Sequence, residues 1–176
     1  MPLSGFDFRL GLVMGILLLG LTGCTTAPVE RATVSRAVIG ESRAEKNQTG
    51  LSDLAIQAIG LVGVPYKWGG NTPAGGFDCS GLVVYVAYRA KGLKLPRTVV
   101  EMSRFGREME VDQRLPGDLI FFNTTGHPFS HVGIYVGKNR FVHAPTEGGT
   151  VRIESLLSSY WAPRLTMIRR LPTGSL

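Results

Sequence analysis

Hydrophobic positions fall into three regimes along this chain. From Leu10 to Leu21 every position is apolar or glycine, a run of 12. A bilayer-spanning helix needs roughly 20 residues, so the run is too short to cross; with Arg9 before it and Thr22-Gly23-Cys24 after it, residues 1–23 read as a secretory signal. From Thr25 to Gly50 no hydrophobic period survives. That stretch is polar and mixed in charge, and residues 24–50 read as a flexible tether with a root-mean-square reach of roughly 25–30 Å. From residue 51 onward periodicity returns, first at helical spacing and then at strand spacing, and residues 51–176 read as one domain.

Within that domain Leu54, Ile56, Ala58, Ile59 and Val62 predict a short amphipathic helix, capped by Ser52 and stopped at Gly63 and Pro65. Tyr66 to Asp78 holds four glycines and one proline and reads as an ordered loop that brings backbone close to a ligand. Cys79 to about Lys91 predicts a second helix, apolar at Leu82, Val83, Val86 and Ala87 and ended by Gly92. A third, short helix follows Pro96, over Thr98 to Phe105. The spacing then changes. Leu115-Pro116-Gly117-Asp118 is a turn that launches a strand over Leu119 to Phe122, and Ser130–Val136 and Arg140–Ala144 flank Gly137-Lys138-Asn139 as a hairpin. Val151–Ile153 and Leu165–Leu171 supply further strands. Helices first and an antiparallel meander afterwards define an α+β fold, with the helices packed on the sheet.

Charge and cysteine count narrow the function. The net charge of +6 suits an acidic partner, but the Lys and Arg residues are scattered without a basic stripe, which argues against nucleic acid. Two cysteines are too few for a disulfide framework in a domain this size. Leu21-Thr22-Gly23-Cys24 resembles a bacterial lipobox, in which Cys24 is diacylated and becomes the first mature residue; Thr25 rather than Asp after it implies the periplasmic face of the outer membrane. Cys79 is then an unpaired thiol at a helix start, beside free amides and the positive end of the macrodipole. That setting favours the thiolate and marks Cys79 as a nucleophile.

A nucleophilic thiol needs an imidazole to exchange its proton and a third group to fix that imidazole. His131 and His143 fall on predicted strands, while His127 falls in a loop. A two-residue turn at Lys138-Asn139 would pair Val136 with Phe141 and throw the two histidines to opposite faces. A three-residue loop, or an equivalent bulge, pairs His131 with Pro145 and sets His143 on the same face, roughly 7 Å away between backbones. An odd-length loop or a bulge is therefore expected. Cys with two His also matches a zinc donor set, but Cys79 has no second ligand near it in sequence, so no metal and no cofactor are expected.

Several blocks run in one order: Tyr66-x-Trp68-Gly69-Gly70, Asp78-Cys79-Ser80-Gly81-Leu82-Val83, Leu95-Pro96-Arg97-Thr98, Pro116-Gly117-Asp118-Leu119-Ile120-Phe121-Phe122, His131-Val132-Gly133-Ile134-Tyr135 and Phe141-Val142-His143-Ala144. Over Leu51 to about Leu171 they resemble the NlpC-type peptidoglycan endopeptidases (the NlpC / p-sixty family), a papain-like group of wall-cleaving enzymes. The short-lipoprotein layout is most similar to the family's outer-membrane murein endopeptidases. The resemblance implies that Cys79 is the nucleophile, that His131 is base and then acid, and that His143 orients His131. It implies that Tyr66 lies beside the thiol and helps bind the scissile carbonyl or its oxyanion. Asp78 and Ser80 would border the cleft and contact the charged ends of a stem peptide, although both also suit the first turn of the Cys79 helix. Trp68 reads as structural, Asp118 as closing its turn, and Arg97 either as a partner for a substrate carboxylate or as one half of an ion pair. The substrate implied is the peptidoglycan stem peptide, cut at the D-alanyl–diaminopimelate cross-link or at the D-glutamyl–diaminopimelate bond. The membrane is met only through the lipid on Cys24, the domain is expected to be a monomer, and regulatory lipoprotein or protease partners are compatible with it. A non-hydrolytic wall-binding lipoprotein is the other class that the chain fits.

Overall fold

The computed structural model describes residues 52–173. The signal stretch, Cys24 and the tether lie outside the described residues. Helix α1 (Asp53–Ile59) starts where Ser52 caps it, its hydroxyl accepting from the Ala55 amide at 3.3 Å. Leu54, Ala55 and Ala58 are buried, whereas Ile56, expected on the inner face, is 52% exposed. At about 100° per residue Ile56 stands about 200° round from Leu54, so the face follows Leu54, Ala55 and Ala58. The helix also ends at Ile59, before Val62.

The glycine-rich loop is more ordered than a loop. Strands β1 (Asn71–Thr72) and β2 (Gly76–Phe77) pair as a small antiparallel ribbon. A Cβ on Gly81 would collide with the Gly70 carbonyl, so the first turn of helix α2 (Cys79–Lys91) is pressed onto this ribbon's backbone. Asp78 caps α2, its Oδ1 accepting from the Gly81 amide at 2.7 Å, and Gly92 closes the helix in the left-handed region at φ 67°. Leu82, Val83, Val86 and Ala87 are all fully buried, as their spacing predicts. Helix α3 (Val99–Met102) is shorter than expected and is capped by Thr98.

Six strands form one sheet in the order β3-β8-β4-β5-β6-β7, every neighbouring pair antiparallel. They are β3 (Arg107–Glu108), β4 (Leu119–Phe122), β5 (His131–Gly137), β6 (Arg140–His143), β7 (Arg152–Ser155) and β8 (Leu165–Arg170). Asp118 closes the turn into β4 by accepting from the Leu115 amide at 2.8 Å, and it also pairs with Arg170. The sheet has two apolar faces. Leu119, Phe121, Val132, Ile134, Val136 and Val142 share a cluster with α1 and α2, while Ile120, Phe122, Tyr135 and Phe141 pack with Leu156 and Trp161. Burying side chains of this size contributes about 1.5–3 kcal/mol each.

The β5–β6 hairpin resolves the parity question. Lys138 and Asn139 are both left-handed, at φ 50° and 54°, and make a two-residue turn closed by Gly137 opposite Arg140. The register then shifts, so that Tyr135 faces Phe141 and Ile134 faces Val142, leaving Val136 as the extra residue of a bulge. The bulge does the work of a third loop residue. It keeps His131 and His143 on one face of the sheet.

Candidate active site

The same register places Gly133 opposite His143, between His131 and Tyr135 on that face. A Cβ there would lie 2.6 Å from the Phe141 ring, 2.9 Å from the Val142 carbonyl and 3.3 Å from His143 Cβ. Glycine therefore leaves the space in which the imidazoles meet: His131 Nε2 is 2.9 Å from His143 Nδ1. Both rings are buried, and Trp161 covers them, stacked on His131 at 5.4 Å and edge-on to His143 at 5.0 Å. With Nε2 turned to His143, the other His131 nitrogen, Nδ1, is the one left for the cleft.

Cys79, the first residue of α2, opens with His131 into a cleft of about 540 Å³ whose lining includes Tyr66, Trp68, Arg152 and Trp161. The amide of Val132 on β5 favours the thiolate, as do those of Ser80 and Cys79 itself at the helix start. They do not prevail. Burial first, and the Asp78 carboxylate second, push the Cys79 thiol up. His131 is driven down to about 3, chiefly by burial and then by His143, with Glu154 opposing. His143 falls to about 3 through burial and the charge of Arg152. The resting pair is thus a neutral thiol beside a neutral imidazole. This corrects the expectation that the helix start leaves Cys79 as a thiolate: burial of the sulfur and the Asp78 charge outweigh the amides that favour it.

Asp78 and Ser80 sit beside the thiol in sequence, yet neither lines the cleft. Asp78 Oδ1 accepts from the Gly81 amide, from Ser80 Oγ at 3.1 Å and from Arg97 Nη1 at 3.0 Å. Its Oδ2 accepts from the Gly69 amide at 2.9 Å and from Arg97 Nη2 at 2.6 Å. Burial alone would raise this carboxyl, but the Arg97, Gly81 and Ser80 hydrogen bonds outweigh it and hold it below its usual range. Arg97 is therefore one half of an ion pair that fixes the loop and the helix start together. Tyr66 lines the cleft, and burial followed by the charges of Cys79, Asp78 and Glu147 raises its phenol, keeping it a proton donor. Trp68, read as structural, is 81% exposed on the cleft rim. It occupies the tip of a turn closed by the Gly70 amide on the Lys67 carbonyl at 2.9 Å. His127 is exposed in its loop.

Sequence reasoning passed over Arg152, Glu154 and Trp161. Arg152 stands opposite His143 and Glu154 opposite Phe141 in the β6–β7 register, so both lie on the histidine face. Glu154 Oε1 accepts from Arg152 Nε at 2.5 Å and lies 3.6 Å from His143 Nε2, while its Oε2 accepts from the Trp161 indole N–H. The alternation of Arg152, Ile153 and Glu154 signals a strand but not which face meets the histidines. Among the described residues, no group of three His, Cys, Asp or Glu side chains is placed to hold a metal ion.

A thiol at the N-terminus of a helix, facing an imidazole on an antiparallel sheet that is itself oriented by a third polar side chain, defines the papain-like class of cysteine hydrolase fold. The chain belongs to the NlpC/P60 family, whose model matches residues 63–170. It is 41% identical over 115 residues to the murein DD-endopeptidase MepH of Escherichia coli, covering 64% of this chain and 42% of that one. It is 44% identical over 115 residues to the gamma-DL-glutamyl hydrolase of Bacillus subtilis, covering 65% and 28%. Against the probable endopeptidase NlpC of Escherichia coli the identity is 36% over 159 residues, covering 89% and 96%. The chain thus spans less than half of the first two relatives and nearly all of the third. Among solved structures, an NlpC/P60 family protein from Bacillus cereus matches with a TM-score of 0.63 at 32% identity, over 68% of this chain and 40% of that one.

Proposed function

We propose that this chain is a peptidoglycan endopeptidase that cuts an amide bond of the stem peptides by covalent catalysis at Cys79. The observation that carries the reading is that Cys79, the first residue of α2, and His131 line one cleft, with the buried His143 imidazole 2.9 Å behind His131. Because thiol and imidazole are both neutral at rest, the Cys79 proton passes to His131 Nδ1 as the sulfur attacks the scissile carbonyl. His143 holds His131 in the ring orientation that this transfer needs. The oxyanion forms beside the amides of the α2 start and the Tyr66 hydroxyl. His131 then returns the proton to the leaving amine, and water, deprotonated by the same nitrogen, hydrolyses the thioester. Asp78 and Ser80 serve this chemistry from behind the cleft, by fixing Arg97 and the first turn of α2.

A net charge of +6 and Arg152 in the cleft suit a carboxylate-rich stem peptide. The bond proposed is the D-alanyl–diaminopimelate cross-link. The D-glutamyl–diaminopimelate bond is the second reading, favoured by the likeness to a gamma-DL-glutamyl hydrolase at 44% identity, against 41% for the DD-endopeptidase. Cys24, diacylated, would anchor the chain to the periplasmic face of the outer membrane, and the tether would set how deep into the wall the domain works.

The test is mass spectrometry of cross-linked muropeptide dimers and free tetrapeptides incubated together with the full-length protein, with Cys79→Ala as the control. Conversion of dimers to monomers by the intact protein alone establishes cross-link cleavage, and shortened stems establish the second reading. Activity retained in Cys79→Ala, or none in either protein, refutes catalysis at Cys79.

A further inference from the structure

His143 has one nitrogen that the chemistry above leaves unused. Its Nδ1 meets His131 Nε2, while its Nε2 is fully buried and has no hydrogen-bond partner. The Glu154 carboxylate lies near it, with Oε1 at 3.6 Å. That is longer than a hydrogen bond, so the contact acts through charge and dipole, which count for more in a water-poor site. The carboxylate is not free to turn away. Arg152 holds one oxygen at 2.5 Å and the Trp161 indole N–H holds the other.

Two neutral imidazoles 2.9 Å apart share one proton, and it can be placed in two ways. In the first, His131 Nε2–H donates to His143 Nδ1, His143 carries its own proton on Nε2, and His131 Nδ1 presents a lone pair to the cleft. In the second, His143 Nδ1–H donates to His131 Nε2, and His131 Nδ1 carries a proton that blocks it as a base. The two arrangements present opposite faces to Glu154. In the first the carboxylate meets an N–H dipole, and in the second it meets a lone pair. Attraction in one case and repulsion in the other select the same tautomer.

We infer that Glu154 is a positioning residue for the thiol chemistry: acting through His143, its carboxylate fixes the tautomer that leaves His131 Nδ1 free to take the Cys79 proton. This rests on the reading of Cys79 as nucleophile. When His131 takes that proton, Glu154 also favours the resulting positive charge, against burial and His143. Arg152 works the other way on His143, so the effect is set by Glu154, Arg152, Trp161 and the imidazole pair together. Glu154 itself lines the cleft beside Arg152 and Trp161, and these two hold its carboxylate toward His143.

The experiment reads tautomers directly, by nitrogen-15 NMR of histidine-labelled full-length protein near pH 7, for wild type, Glu154→Gln and Glu154→Asp. In the wild type both rings should be Nε2–H tautomers. In Glu154→Gln the amide N–H₂ can face His143 and the pair should shift toward Nδ1–H; Glu154→Asp should keep the wild-type pattern in greater part. Alkylation of Cys79 by iodoacetamide should slow with the tautomer shift. Turnover of muropeptides should lose roughly 10- to 100-fold in kcat, at most the lower end of the roughly 10²–10⁴-fold that a positioned general base contributes, with KM little changed. A wild-type His143 protonated on Nδ1 overturns the inference, as does a Glu154→Gln pair that stays fully Nε2–H. Because the wild-type spectrum needs no variant, poor folding of Glu154→Gln does not remove the test. The expected tautomers in a protein inert toward muropeptides, with Cys79 alkylation still slowed in Glu154→Gln, would sink the peptidoglycan substrate and support the role of Glu154 at the thiol; with alkylation unmoved as well, that role falls too.

Discussion

Acid should unfold this domain from a pH at which most proteins of its size are at their most stable. His131 and His143 are held near 3 in the fold, against 6.5 for an unperturbed imidazole. Between those values the unfolded chain binds protons that the folded chain refuses. The stability associated with the neutral pair is therefore complete above about pH 6.5 and is lost as pH falls from there toward 3. Each unit below 6.5 costs about 1.4 kcal/mol per imidazole, so pH 5 costs about 2 kcal/mol for each ring and about 4 kcal/mol for both. Both rings are buried, so solvent screening discounts little of this. Against a typical total of about 5–15 kcal/mol, the loss is large. Asp78 adds to it later, because its depressed carboxyl contributes stability above about 3.8 that disappears only as pH drops through its folded value. Urea denaturation followed by tryptophan fluorescence at half-unit steps from pH 8 to 4.5 measures the slope, and a His131→Gln/His143→Gln double variant should remove most of it. Wild-type stability that is flat between pH 7 and 5, or a slope that survives the double variant, would refute the assignment of a buried neutral pair.

Two further substitutions probe the geometry. Gly133→Ala should cost about 1–3 kcal/mol by overpacking against Phe141, Val142 and His143, and should lower muropeptide turnover by displacing His143; unchanged denaturation midpoint and rate would show the imidazole pair to be looser than described. Asp78→Asn keeps a good helix cap but removes the charge that helps push the thiol up, so the pH profile of Cys79 alkylation by iodoacetamide should move to lower pH, and a profile unmoved or moved upward would count against that role.

How much of this was legible depended on whether the deciding contact was local. Helix α2 was readable almost to the residue, because Asp78 and Gly92 are local capping signals and Leu82, Val83, Val86 and Ala87 mark one stripe at helical spacing. The hairpin was readable one step further. The requirement that His131 and His143 share a face demands an odd residue, and the bulge at Val136 supplies it, although turn chemistry alone pointed to Gly137-Lys138-Asn139 as the loop. Ile56 shows the same limit at small scale: a set of apolar residues close in sequence does not specify which of them faces the core. Arg152 and Glu154 were not legible, because an alternating, partly exposed edge strand looks like a solvated edge until its pairing with β6 is known. The thiol's protonation was legible only in part. Its helix start and the neighbouring Asp78 are written in the sequence, but the burial that pushes the thiol up most is a product of the assembled fold.

Those late-appearing features bear on one another. Burial raises Cys79 and lowers His131, so the fold sets the two against exchanging their proton at rest. Catalysis in the proposed reaction then requires compensation that appears only with substrate: a carbonyl for the sulfur to attack and donors for the negative charge it creates. The amides of Val132 and Ser80 and the start of α2 stand on the sulfur side, and Glu154, through His143, stands on the imidazole side. A site built in this way gains little by stabilising a free thiolate. It gains by stabilising separated charges at the moment they form, which is why the positions of Gly133, His143 and Glu154, none of them adjacent to the thiol in sequence, should govern the rate as much as the residues that flank Cys79.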